Sequence, residues 1–425
     1  MLIPIDASHR AIPICTIPAN HGTATEEILE KVHKILEFIQ SQKIQVIGLA
    51  SDGDHQYSKM SMGFITEIID NIHEVSYQTV SQIMKNLCNI CHFSDPFHLV
   101  KRDRYRKVSK EYFIVDPWNE SSIVNKDDLK ELGISNYVLC SDKARKMEDL
   151  LPLKFFSKEI LIATIDRGHP GLFFAMLPST LLLESIHSKS LTRKQRIDYL
   201  MIGSSLLLLY EFYKKLIKNP KDELRDLEIK CIKNTYHCFT TEWSSQYISL
   251  AFSICMLLYN EKSINLGACG THILEHYFGS IRRHSAGDNT HDRFTKSMKK
   301  VFLEQHLLNE LEIPYETPRR RNNSGFNVND SQIKEKNTLM YYLEIARGIL
   351  LEVMNIPDIA SIFMFAMPEK PMTIIEFSEI YLEIKKKKHE FRSTKITGIT
   401  STGGLSNCRI WSAANQIANL SKQEN

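Results

Sequence analysis

The stretch Gly270-Thr271-His272-Ile273-Leu274-Glu275-His276-Tyr277-Phe278-Gly279-Ser280-Ile281-Arg282-Arg283-His284-Ser285-Ala286-Gly287-Asp288-Asn289 carries helix, core and chemistry at once, and the rest of the chain is read outward from it. On a period of about 3.6 residues, Leu274, Phe278 and Ile281 share one face, which predicts that they anchor a helix to a core. Glu275, Gly279 and Arg282 share a neighbouring face. A carboxylate, a residue without a side chain one turn on, and a guanidinium a turn further would let a bulky anionic backbone approach the acid and be gripped beyond it. The other reading is an ordinary amphipathic helix ending at Gly287, with Glu275 and Arg282 solvated.

Upstream, residues 44–50 (Ile-Gln-Val-Ile-Gly-Leu-Ala) form a mostly apolar run of strand length, which predicts a strand buried on both faces. It ends in Ser51-Asp52-Gly53-Asp54, and acids just past the carboxyl end of a buried strand sit where α/β sheets bind ligands and metals. Before it, residues 1–19 hold two short β-branched runs whose prolines suit an edge. Thr23 and Glu26 form a possible capping box, and Ile28, Val32, Ile35 and Ile39 carry a helical stripe to about residue 42.

After it come helical stretches at 57–72 and 78–89 and an apolar run at 90–93. Asp95 before Pro96 reads either as a helix cap or as a metal-site acid. His98, Lys101, Arg102 and Tyr105 then share a helical face, a basic stripe that suits a phosphate backbone or merely solvent.

Between 110 and 241 the strand signals nearly vanish. Helices are expected at 159–177 (broken near Gly168 and Pro170), 192–218 and 222–232, with a further one at 242–259. This reads as an all-helical domain inserted into an α/β one. Asn125-Lys126-Asp127-Asp128 matches the base-recognition tetrapeptide of GTPases, but no phosphate-binding loop accompanies it, so a charged helix start is expected and no nucleotide site is identifiable. The expected divisions are 1–110, 111–241, 242–316, a basic linker at 317–335 containing Arg319-Arg320-Arg321, and an accessory region at 336–425 with a mobile tail.

The composition fits a soluble globular protein of two or three domains: 425 residues, 43% hydrophobic and 24% charged. A net charge of +3 is too mild to identify a nucleic-acid partner without local clustering. Nine scattered cysteines suit a reducing compartment, and Cys88-x-x-Cys91-His92 reads as buried structure rather than a haem or zinc site. No run reaches the ~18 apolar residues of a membrane span, and no membrane partner is expected.

Three motifs in order, "SDG" at Ser51-Asp52-Gly53, "DPFHLVK" at 95–101 and "LEHYFGSIRRHSAGDN" at 274–289, resemble P element-like DNA transposases, a group that often carries a THAP-type zinc finger. The resemblance covers about residues 10–300. It implies an RNase H-like DDE/D catalytic core, interrupted by the helical insertion, in a helix-rich α/β chain. Asp52 and Glu275 would be the second and third catalytic acids and hold two Mg²⁺ ions, with Mn²⁺ as a substitute. Asp95, His98 and Gly279 would support the site, and Arg282, Arg283, Lys101 and Arg102 would contact DNA.

The family's first acid lies on a strand that this chain is expected to lack, so it reads as truncated at its N-terminus. Asp6 is the candidate replacement, with a turn residue as its other reading. The implied activity is DNA cleavage and strand transfer by a homo-oligomer on DNA ends, in the nucleus. The Arg319–Arg321 and 385–388 runs read as import signals or as solvated linkers. The alternative is a non-catalytic DNA-binding or assembly protein descended from a transposase.

Overall fold

The computed structural model describes residues 3, 25–51, 91–109, 112–114, 123–142, 148, 150–167, 169–217, 238–261, 263–270, 272–284, 291–310, 327–328 and 339–354. These residues form a helix-rich α/β structure in which three two-stranded sheets accompany the helices. Expectations for residues 1–19, 57–72, 78–89, 222–232, 317–325 and 385–388 lie outside the described residues.

Helix α1 (Thr25–Ser41) follows the predicted stripe and buries Ile39. Strand β1 (Gly48–Ser51) pairs in parallel with β2 (Cys91–Ser94), from Gly48 opposite Cys91 to Ser51 opposite Ser94. The doubly buried strand expected at 44–50 is corrected here. Pairing begins only at Gly48, Ile44 is exposed, and β1 itself is half-buried with Ala50 exposed.

The reason is that the covering helix at Thr241–Asn260 packs on β2, whose Phe93 and Ser94 are buried. Helix α2 (Pro96–Ser109) follows β2 directly. An antiparallel hairpin, β3 (Tyr112–Ile114) with β4 (Ile123–Asn125), then interrupts the segment expected to be purely helical.

Asn125 caps α3 (Lys126–Glu131) in a reciprocal box with Asp128, which accounts for the tetrapeptide as a helix start. Gly133, at φ 80°, closes α3 in the left-handed conformation that a side chain disfavours. Helices α4 (Leu150–Phe155), α5 (Lys158–Asp166) and α6 (Pro170–His187) follow, with the predicted break between α5 and α6. Pro170 suits the first turn of α6, where its missing N–H costs nothing. The helix runs on through Pro178, beyond its expected end.

Helices α7 (Arg193–Ile217) and α8 (Thr241–Asn260) match their predicted spans closely. Thr192 and Gln195 box the start of α7, and Thr240 caps α8. Strand β5 (Ile264–Asn265), a short 3₁₀ turn (Leu266–Cys269), α9 (His272–His284), α10 (His291–Glu310), β6 (Asn327–Val328) and α11 (Leu339–Met354) complete the order, with β5 and β6 paired antiparallel.

The main core is built where α7 packs against α6, α8 and α11. Phe173, Phe174, Leu207, Trp243 and Leu250 are fully buried there. Each such side chain contributes about 1.5–3 kcal/mol relative to exposure. The close approach of α7 and α8 depends on Gly203, where a Cβ would lie 2.1 Å from the Tyr247 hydroxyl.

This core crosses the divisions expected at 110/111, 241/242 and 335/336, because α2 packs on α4, α6 and α8 and α11 packs on α6 and α7. Two arginines of α7 close other elements. Arg193 donates to Leu258 O, Glu261 O and Val328 O, and Arg196 donates to Ser185 O and Ser188 O, so guanidinium groups meet the carboxyl ends of α8 and α6.

Candidate nucleic-acid interface and metal site

The carboxyl edge of the parallel pair joins the first two motifs. The Asp95 N–H donates to the Ser51 carbonyl at 2.8 Å, immediately beyond the last register pair of β1 and β2. Ser51, the first residue of "SDG", and Asp95, the first of "DPFHLVK", thus meet at the ends of adjacent strands, while Asp52 and Gly53 lie outside the described residues. The Asp95 carboxylate is buried and accepts from the backbone N–H groups of Phe97 (2.8 Å) and His98 (3.0 Å). It therefore caps α2, a role that satisfies two otherwise orphaned amides at the positive end of the helix. His98 is half-buried on the first turn of α2.

The basic stripe of α2 is partly packed against its neighbours. Lys101 is 5% exposed, and Arg102 donates to Glu242 (2.9 Å) and Gln246 (3.0 Å) on α8. Of these two residues expected to contact DNA, Lys101 is thus covered, and Arg102 is half-buried and paired with an acid from a neighbouring helix.

The same helix buries further charges that the motif reading missed. Lys107 pairs with Asp103, donates to Cys238 O and lies 4.5 Å from the ring centre of Phe239. Ser179 donates to the second oxygen of Asp103 at 2.6 Å. Arg104 donates to Val138 O and Cys140 O. Burial pushes the Lys107 ammonium below the ordinary lysine range, opposed chiefly by the Asp103 charge. The only local signal was the Asp103/Lys107 spacing, one helical turn apart.

The third motif is helical over its described residues, as predicted. Helix α9 is described as far as His284, and its last described turn carries Arg282, Arg283 and His284, cations where the helix dipole favours them; the expected end at Gly287 lies outside the described residues. Its buried face also differs from the one expected. Ile281 is buried together with Tyr277, against Val301 and Met298 of α10, while Phe278 is 38% exposed. The Tyr277 phenol is pushed up by burial.

Arg282 and Arg283 are exposed, and Arg283 donates to the Ser280 hydroxyl at 2.7 Å. Nothing lies within 4 Å of the point where a Cβ at Gly279 would sit, so the position is open. Glu275 lies in the second turn of α9, but its side chain, like Leu274, Asp6 and Asp52, falls outside the described residues.

Among the described residues no group of three or more His, Cys, Asp or Glu side chains could hold a metal ion. Asp95, the motif acid that is described, uses one carboxylate oxygen for its cap. Among the described residues no helix is long and apolar enough to cross a membrane. No protein-family profile, no curated protein and no solved structure matches this chain.

Proposed function

We propose that the chain is a transposase-derived protein, with an RNase H-like core that binds DNA and breaks and rejoins phosphodiester bonds. The observation that supports this most directly is the register of β1 and β2. It sets the Ser51 carbonyl against the Asp95 amide, and so draws two separated motifs to one carboxyl edge of a parallel pair, where α/β sheets place their ligands.

Asp52 and Glu275, with Asp6 as first acid, would hold two Mg²⁺ ions, or Mn²⁺ in their place. Such a pair supplies activation of the attacking oxygen and stabilisation of the leaving one. The chain's own contribution beyond those acids is positional. Asp95 fixes the start of α2 beside β1, and exposed Arg282 and Arg283 offer charge-assisted contacts to a phosphate backbone. The reading carries with it a nuclear location and assembly of copies on DNA ends.

A second reading, a DNA-binding or assembly protein without the chemistry, draws on the same exposed arginines, which need no acid to grip phosphates. The test is Mg²⁺- or Mn²⁺-dependent nicking of supercoiled and linear DNA by the purified chain and by its Asp52→Ala and Glu275→Ala forms. Nicking by the parent and loss in both variants is expected. DNA binding without nicking selects the second reading, and equal nicking in all three overturns the assignment of the acids. In either reading Arg282→Ala and Arg283→Ala each lower the salt dependence of binding by about one counterion, while Lys101→Ala does not.

A further inference from the structure

Helix α10 turns one face to α9, burying Ser297 and Val301, and leaves the opposite face unpartnered among the described residues. On that outer face Lys296, Lys300, Leu303, Leu307 and Glu310 alternate spacings of four and three residues, the pattern of a coiled-coil seam. Leu303 is 58% and Leu307 55% exposed, and the Lys296, Lys300 and Glu310 side chains are exposed as well. Leu303 and Leu307, one turn apart and this open between flanking charges, mark a contact surface, with Phe302 42% exposed beside Leu303.

The charges around the leucines say what covers them. If a second copy of α10 is laid antiparallel and turned end for end about Gln305, Leu303 faces the partner's Leu307 and Lys300 faces the partner's Glu310, twice by symmetry. The parallel arrangement would instead oppose Lys300 to Lys300. We propose that this face of α10 is a two-fold, antiparallel helix-to-helix contact between two copies of the chain.

The opposing lysine and glutamate fix the register while the leucines supply the apolar centre. The exposed His306–Glu310 contact within α10, at 3.2 Å, is of the kind that contributes little and yields to a partner's lysine. A seam of three helical turns falls below the ~1,200 Å² of a stable interface, so the dimer forms reversibly with protein concentration. This proposal stands independently of the catalytic reading.

Sedimentation velocity of the full chain between about 5 and 200 µM tests it, a range that brackets a weak interface. The expected result is a concentration-dependent monomer–dimer equilibrium. Leu303→Glu with Leu307→Glu should leave a folded monomer throughout, since both side chains are exposed, with its circular dichroism spectrum unchanged.

Lys300→Glu alone and Glu310→Lys alone should each weaken the dimer at least tenfold. An equimolar mixture of those two variants, and the chain carrying both substitutions, should recover it, because each restores two opposite-charge pairs. A chain monomeric at every concentration overturns the proposal. So does a dimer indifferent to these substitutions, or one weakened by both charge variants with no recovery in the mixture. A parent chain monomeric at every concentration whose DNA binding is lost when the leucines are replaced makes the face a nucleic-acid contact instead.

Discussion

Asp95 ties two strands and a helix together: its backbone N–H reaches the Ser51 carbonyl at 2.8 Å, while its carboxylate accepts from the amides of Phe97 and His98. One residue thus ends β2, braces β1 and starts α2. Asp95→Ala removes the cap but not the backbone bond, and should lower stability by about 1–2 kcal/mol in urea unfolding. Asp95→Asn keeps an acceptor oxygen and should retain most of it. Equal losses in the two variants would show that charge, not capping, is what the site requires.

The buried Asp103–Lys107 pair predicts strong non-additivity. Lys107→Met leaves the Asp103 carboxylate with Ser179 as its remaining described hydrogen-bond donor, and Asp103→Leu strands the ammonium among Phe156, Phe239 and Trp243. Each single replacement should cost about 3–5 kcal/mol, and the double replacement less than the two together, because it removes both charges. A double-mutant cycle by chemical denaturation measures this; additive losses would contradict it.

Gly203→Ala should destabilise the packing of α7 on α8 by about 1–3 kcal/mol, since the added carbon meets the Tyr247 hydroxyl. That hydroxyl is held by the Pro178 carbonyl at 2.9 Å within the core and cannot step aside cheaply. In a Tyr247→Phe background the closest contact is gone, so the same glycine replacement should cost less. Thermal midpoints of the four proteins decide the point.

Alkaline pH should unfold the chain through its core tyrosines. Burial holds the phenols of Tyr247 and Tyr259 above the ordinary tyrosine value of about 10. The folded state therefore binds these protons more tightly than the unfolded chain. Their contribution is intact below about pH 10 and is lost as pH rises through the folded values. Stability should be level up to that point and fall beyond it, with phenolate absorbance appearing together with unfolding. Tyr247→Phe should make the fall shallower.

Local pattern was enough for the long helices. The apolar runs of α7 and α8, opened by Thr192 with Gln195 and by Thr240, carried both their period and their boundaries. Asn125 with Asp128 announced α3 in the same way. The β3–β4 hairpin escaped because three-residue strands are too short to display alternation.

The buried chemistry of α2 escaped for another reason. Arg104 meets a carbonyl 34 residues away, and Arg102 meets Gln246 at a separation of 144, so a segment that looks solvent-loving alone is neutralised by distant parts of the chain. At the candidate site, the β1–β2 register brings Ser51 beside Asp95, whereas the face of α9 was misjudged. Its partner α10 takes Tyr277 and leaves Phe278 outside.

The first turn of α7 has a consequence for how the molecule comes apart. Arg193 and Arg196 hold the ends of α8 and α6 and the short strand β6. Fraying of that single turn would release the clasp on three elements distant in sequence, so their terminal amides should exchange with solvent as one cooperative unit rather than independently. A chain assembled from scattered segments thus has a common latch, and hydrogen exchange should show contacts at residues 185–188, 258–261 and 328 opening together with residues 193–196.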